Sequence, residues 1–481
     1  LFTLLHISDL HRSPEEPVDN TALVAALVND HDRYIGETPA VPPPDAIIVS
    51  GDLMQGARLG QSDWEKVVRE QYLVAEDFLD QLTKRFLNGD RSKMVIIPGN
   101  HDVCWNTALS SMEVVPDGDP ARQNVYATIN EPGSGYRWSW KDLQLYRIAN
   151  PNRYAARLDA YWEFTERFYA GTSVRIDRHR GYQFFDLDDG RVVVAAFDST
   201  HGNDCFSYSG SFRPGVVGRC YLDLRDRERQ SMLKVALWHH SVQGPPTRVD
   251  YLDINEVYQL AGHGFQLGMH GHQHVAAAAA YYVHRERSQE MAVVSAGSLC
   301  AGFRELPRGV NRQYNLIVIN DDYSGARVHV REMIEGGHFT RASGQGFLQG
   351  YTEIGWQIPL DAAGRQVNVA QQNERRAIEQ AERALGSRDW KAALDYIRSI
   401  PAPIGSYARK IATEAALRCE DWTFLKALFA DSHSTSETTT LIAALTNLGD
   451  LDGAEEVLTA LRVSRSQYGV ALRSESLCCD S

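Results

Sequence analysis

Little in this 481-residue chain points to a secreted, membrane-spanning or broadly basic protein. Its seven cysteines, at 104, 205, 220, 300, 419, 478 and 479, are odd in number and contain no C-x-x-C pair. A secreted disulfide framework is therefore not expected, and reduced thiols in a cytoplasmic setting are. No stretch approaches the roughly 18 to 20 apolar residues needed to cross a bilayer, so no membrane partner is expected. The chain opens directly into the strand-like run Phe2 to Ser8, without the basic and apolar regions of a secretory signal. Positive charge is also short: 49 Lys and Arg against 62 Asp and Glu leave a net −13. That argues against a broad basic track for long nucleic acid, though not against a local basic groove.

What is present is ordinary globular material, 43% hydrophobic and 23% charged, long enough for about three domains. Short apolar runs at Phe2–Ile7, Ala46–Val49 and Met94–Ile97 read as buried strands. Helical spacing fills Thr21–Tyr34 and Asp63–Phe86 between them. After residue 180 strand candidates dominate, at Tyr182–Leu187, Arg191–Phe197, Lys234–Trp238, Phe265–Met269, Met291–Ser295, Tyr314–Ile319 and Arg327–Val330. The expected class is α/β, with a second sheet packed on the first.

Five clusters follow these apolar runs in order: Asp9-x-His11, Gly51-Asp52, Gly99-Asn100-His101-Asp102, His239-His240 and Gly271-His272-Gln273-His274. Each falls where a strand gives way to a loop. Carboxylate, amide and imidazole donors suit Mn, Fe, Zn or Ni. Seven such groups are too many for one tetrahedral ion and about right for two ions sharing a carboxylate.

The set resembles the calcineurin-like metallophosphoesterase superfamily, whose pattern is D-x-H, G-D, G-N-H-[DE], H, G-H-x-H. The resemblance covers about residues 1–335 and fills every motif position. It implies a four-layer αββα sandwich and two divalent ions, Mn foremost. Carried over by position, Asp9, His11 and His274 would bind one ion and Asn100, His239 and His272 the other, with Asp52 bridging. His101 would contact the phosphate or protonate the leaving oxygen, with Asp102 orienting its imidazole. The expected reaction is in-line hydrolysis by a metal-bound hydroxide, and the His of G-N-H-D together with the basic charge over 136–182 fits a phosphodiester. The substrate would be a nucleotide or a short single strand of nucleic acid. The alternatives are a phosphomonoesterase or protein phosphatase, and a docking subunit in which the helical C-terminal part is primary. His240 and His270 adjoin expected ligands, but neighbours on a strand end point away from each other.

Residues 103–181 form a long insertion. Its second half carries nine Lys or Arg against five Asp or Glu over 136–182, interleaved with aromatics. Two uses are open: a cap offering Arg to phosphate and rings to bases, or an amphipathic helical insertion with Tyr161, Phe164 and Phe168 as its core stripe. Residues 336–368, rich in Gly, Ser and Gln, read as a linker or wrapping segment. From 369 to 481 the composition turns helical. A weak repeat runs Ala384-Leu385-x3-Asp389-Trp390, Ala416-Leu417-x3-Asp421-Trp422 and Ala444-Leu445-x4-Asp450-Leu451. It weakly resembles tetratricopeptide repeats, which implies a surface for a protein partner; a plain helical bundle is the other reading.

Overall fold

A computed structural model describes residues 1–15, 19–123, 125, 128–226, 232–242, 250–282, 290–302, 305–343, 347, 349–356, 377–378, 380–400, 404, 406–430 and 435–459. The chain divides into two compact units, Leu1–Pro359 and Leu360–Ser481.

In the first unit the apolar runs become the centres of two mixed sheets. Strands β1 (Phe2–Ile7), β2 (Ala46–Val49) and β3 (Met94–Ile96) are parallel, and β1 also pairs antiparallel with β13 (Gln313–Ile319). β14 (Gly325–Ile334) extends this sheet beyond β13. The second sheet runs β11 (Ala277–Tyr282), β12 (Glu290–Ser295), β10 (Leu267–His270), β9 (Leu233–Leu237), β8 (Val192–Phe197), β7 (Tyr182–Leu187). Its middle strands are parallel and its two outer strands antiparallel.

One continuous core holds residues of both sheets, among them Ile7, Val49, Leu316, Val194, Leu237 and Met269. Helices α1 (Asn20–Tyr34) and α2 (Trp64–Phe86) join that core through Leu23, Leu27, Tyr72, Phe78 and Leu79. A separate cluster sits between the second sheet and two further helices, Val216–Arg225 and Ile254–Gly262. This is the expected helix–sheet–sheet–helix layering. Strands buried on both faces need no polar alternation, which is why they read as unbroken apolar runs. Among the described residues, no helix is long and apolar enough to cross a membrane.

The insertion resolves in favour of packing. Its helix Asp159–Phe168 buries Tyr161, Phe164 and Phe168 in the main core, with Phe164 stacked on Tyr72 of α2. The Tyr161 and Tyr169 hydroxyls donate to the carbonyls of Ile96 and Met94. They thereby occupy acceptors that edge strand β3 would otherwise leave open. A small sheet not foreseen from sequence, β4 (Met112–Val114), β6 (Gln144–Ile148) and β5 (Tyr136–Ser139), carries its own minor core.

The insertion's arginines are largely committed to protein partners. Arg137 pairs with buried Asp204 at 2.7 Å, and Arg147 pairs with Glu113, Arg167 with Glu76, Arg178 with Glu166 and Arg180 with Asp223. Arg157 donates to the Asn203 carbonyl.

The span read as a linker contributes two strands, β15 (His338–Arg341) and β16 (Tyr351–Gly355). Both pair with β14, on its two halves. They are short, and their Gly, Ser and Gln neighbours masked them. Residues 357–368 of that span lie outside the described residues.

In the second unit, the spaced Ala-Leu…Asp pattern marks one recurring turn. Asp389, Asp421 and Asp450 each return their backbone N–H to the carbonyl five residues earlier, at Ala384, Ala416 and Leu445. The residue before each Asp, Arg388, Glu420 or Gly449, has positive φ. Each Asp side chain then accepts from a backbone N–H of the next helical turn, Ala392, Phe424 or Gly453. The pattern is a helix stop followed at once by an N-cap. Small and aliphatic residues such as Ala381, Leu394, Ala412, Leu425 and Ala444 form this unit's own core.

Candidate metal centre

The five motif loops converge at one end of the two sheets. Asp9, His11, Asp52 and His239 are essentially without solvent exposure. Five of the motif residues, Asp9, His11, Asp52, His272 and His274, take positive φ between 43° and 72°. Non-glycine residues seldom adopt that region, and they persist there when the surrounding structure demands it. The loops also approach too closely for side chains at their glycines. A Cβ on Gly99 would run into Asp52's carboxylate and backbone nitrogen, and one on Gly271 into Ser8 and Asp9.

Three overlapping groups offer donor atoms mutually within 4.8 Å: Asp9, His11 and His274; His11, Asp52 and His101; and Asp52, His239 and His272. Asn100 joins the last, its Oδ1 lying 3.0 Å from His239 Nε2 and 2.9 Å from His272 Nδ1. Asp52 Oδ2 stands between the sets, 3.3 Å from His239 Nε2 and 3.8 Å from His11 Nε2. Its other oxygen accepts the His101 backbone N–H at 2.8 Å. On the first side, His274 Nε2 is 3.2 Å from Asp9 Oδ1.

Backbone carbonyls fix the imidazoles. His239 Nδ1 donates to Ser50 at 2.7 Å, His274 Nδ1 to Glu305 at 3.1 Å and His101 Nδ1 to Gln55 at 2.8 Å. Each ring is thereby held as the tautomer whose Nε2 lone pair is free. None of these three carbonyls carries a sequence signal.

A match to the calcineurin-like phosphoesterase family runs over residues 2–276, more than half the chain. The chain belongs to that family. No curated protein matches it as a relative. Among solved structures it is similar to a dimetal phosphatase from Danio rerio, with 11% identity, 74% of this chain and 99% of that one covered, and a TM-score of 0.39. It is also similar to the calcineurin-like phosphoesterase YfkN from Bacillus subtilis, with 12% identity, 77% and 97% covered, and a TM-score of 0.29. A third likeness is to a 5'-nucleotidase from Candida albicans, with 12% identity, 66% and 47% covered, and a TM-score of 0.32.

The donor set of this phosphoesterase suits a pair of cations. Donors about 2.1 Å from a shared ion stand roughly 3.0 Å apart in octahedral and ~3.4 Å apart in tetrahedral arrangement. The closest spacings here, from 2.9 to 3.3 Å, lie within about 0.1 Å of that band. Both ring nitrogens of buried His11 lack a hydrogen-bond partner.

Burial lowers the His11 imidazole to about 3, helped by positive charge on His101, so it is held neutral as a ligand must be. Burial would raise Asp9 and Asp52, but His274 overcomes it at Asp9 and His239 with His101 at Asp52, so both carboxyls are lowered. Burial would likewise lower His239, yet Asp52 lifts it to about 9.

Asp102 departs from its expected role. Its carboxylate does not reach the His101 ring, because it is committed elsewhere. It accepts from the Gly99 N–H at 2.8 Å, the Leu53 N–H at 3.2 Å and the Tyr72 hydroxyl at 3.0 Å. Burial, then the charge on Asp52, pushes it up to about 6. Asp102 therefore clamps the Gly51-Asp52 loop to the Gly99-Asn100 loop rather than orienting an imidazole.

His240 is fully buried, with Nδ1 2.9 Å from Ser199 Oγ and its ring 5.1 Å from that of His272. It packs behind the site.

Proposed function

We propose that this phosphoesterase is a dinuclear-metal phosphodiesterase. Asp9, His11 and His274 would hold one ion and Asn100, His239 and His272 the other, with Asp52 available to both. The observation that carries this is Asp52 Oδ2, placed between a nitrogen of each set. When bound, the two ions supply Lewis acidity toward phosphoryl oxygens and promote attack by water. Mn is the proposed metal, and Fe, Zn and Ni suit the same donors.

The chain's own groups do the rest. His101 has Nδ1 tied to the Gln55 carbonyl, so in its imidazolium form the Nε2–H is left to hydrogen-bond a phosphoryl oxygen or pass its proton to the departing alkoxide. The Gly51, Gly99 and Gly271 turns bring the loops close enough to set these atoms.

A diester is favoured over a monoester by charge. A monoester dianion gains most from free bidentate arginines, and here Arg137, Arg157, Arg167, Arg178 and Arg180 are spent on protein partners. The same commitment, with a net charge of −13, supports a small nucleotide or short strand over long nucleic acid. The five described cysteines are free, in keeping with a reducing, cytoplasmic setting. The helical unit, weakly similar to tetratricopeptide repeats, is proposed to bind a protein partner.

The test is hydrolysis by Mn²⁺-loaded protein of a generic diester, a generic monoester, cyclic nucleotides and single-stranded DNA, alongside Asp52→Ala and Asn100→Ala. The expected result is preference for a diester, abolished by both substitutions. Monoester preference would overturn the diester assignment, and activity retained in both variants would overturn the metal site.

A further inference from the structure

His272 differs from the other imidazoles of the centre. His239 and His274 anchor Nδ1 on a backbone carbonyl and turn Nε2 inward. His272 does the reverse: its Nδ1 faces inward, 2.9 Å from Asn100 Oδ1, and its Nε2 faces away from that amide. No backbone carbonyl receives that outer nitrogen. It meets instead Asp250 Oδ2 at 3.2 Å, in an approach too bent for a full hydrogen bond. The Asp250 side chain is one-fifth exposed and the His272 side chain about one-tenth.

We infer that Asp250 is a positioning residue for the second metal, a carboxylate that holds the proton of His272 on Nε2 and turns its Nδ1 lone pair toward the ion. This rests on the dinuclear reading above and adds to it a residue outside all five motifs. The physical case is that a neutral imidazole has one N–H and one lone pair, and the partner of the N–H decides which nitrogen remains to coordinate. A carboxylate does this more strongly than a carbonyl because it also raises the basicity of the coordinating nitrogen. That matters more at His272 than at the other two, because Nδ1 is flanked by the ring's own backbone. A small ring rotation would swing it off the Asn100 and His239 direction. His272 also holds a positive φ of 72°, so its backbone is already constrained and the ring is the remaining freedom.

The experiment uses the full chain, stripped with chelator and titrated with Mn²⁺ and separately with Zn²⁺. Wild type, Asp250→Asn and Asp250→Ala are compared by calorimetry and by counting bound metal. Wild type should bind two ions. Asp250→Ala should keep one site unchanged and weaken the other about 10- to 100-fold, the usual consequence of losing such an outer partner. Asp250→Asn, of nearly the same shape, should weaken the same site by a smaller factor. The metal-free variants should unfold at the wild-type midpoint, and their lost diesterase activity should return with excess Mn²⁺, with KM for substrate unchanged.

If wild type binds two ions and both variants bind them equally well, the inference fails and the dinuclear site stands. If wild type binds fewer than two, the dinuclear site fails and takes the inference with it. A lowered midpoint in both metal-free variants, with activity that excess metal does not restore, would make Asp250 structural and overturn the inference.

Discussion

Replacing Asp102 by Asn tests whether this carboxylate clamps two loops or tunes an imidazole. It receives three donors, the Gly99 and Leu53 N–H groups and the Tyr72 hydroxyl. A single amide oxygen cannot satisfy all three, and the new NH2 faces donors rather than acceptors. One or two buried polar groups go unpaired, at about 1–3 kcal/mol each, or roughly 1–6 kcal/mol in total. Against that stands a relief. Burial and Asp52 hold the carboxyl at about 6 instead of its ordinary 3.8. Its ionised form therefore costs the fold about 3 kcal/mol above neutral pH, which a neutral amide does not incur.

The two effects largely offset, leaving a net loss of at most about 3 kcal/mol, so the protein should fold. Activity should suffer more, because the loops carrying Asp52 and Asn100 lose their shared anchor. A displacement of the order of 1 Å at such groups costs roughly 100-fold. The assay is denaturant unfolding together with kcat on a diester from pH 5 to 9 at saturating Mn²⁺. The expected outcome is a kcat about 100-fold down with the shape of the pH profile unchanged. A displaced pH limb with an undiminished plateau would show that Asp102 acts on His101, and would refute the clamp.

Three further outcomes follow from other parts of the molecule. His101→Gln should slow hydrolysis of a diester with an alkyl leaving group by 10²–10⁴-fold and one with a 4-nitrophenolate leaving group far less; equal losses would remove its role as proton donor. Buried His329 is lowered to about 3 by burial and then by Arg327, Arg331 and Arg341. Its depressed folded value means that stability is complete above about 6.5 and is lost as pH falls toward 3. The loss is about 2 kcal/mol by pH 5, and His329→Leu should flatten the fall in unfolding free energy over that interval. Arg137→Met strips Asp204 of its buried cation and should cost about 3–5 kcal/mol in denaturant unfolding; a loss under 1 kcal/mol would show that the pair contributes little.

How much was legible in the sequence depended on whether a feature needs particular side chains. Buried parallel strands require unbroken apolar residues, and a metal pair requires Asp, His and Asn at the ends of those strands. Both therefore left clear marks at 2–11, 46–52, 94–102 and 267–274. The Tyr161, Phe164 and Phe168 stripe was legible for the same reason.

The anchors of the imidazoles were not legible, since Ser50, Gln55 and Glu305 contribute carbonyls that any residue possesses. Asp102 was expected to orient His101 by carry-over from the family pattern, whose letters G-N-H-[DE] do not say where the carboxylate points. In the fold its side chain turns toward Leu53 and Tyr72. Asp250 sits in no motif, and only the fold brings it to His272. Strands β15 and β16 were hidden because their partner β14, not their own composition, makes them strands.

The central claim is a catalytic pair of cations, and the direct measurement is a stoichiometric titration of activity. Chelator-stripped protein at a concentration well above the metal dissociation constants is titrated with Mn²⁺ while diester hydrolysis is followed. The structure predicts no turnover without metal and a rise that levels off at two equivalents per chain. Turnover in fully stripped protein, or a plateau at one equivalent, would contradict it.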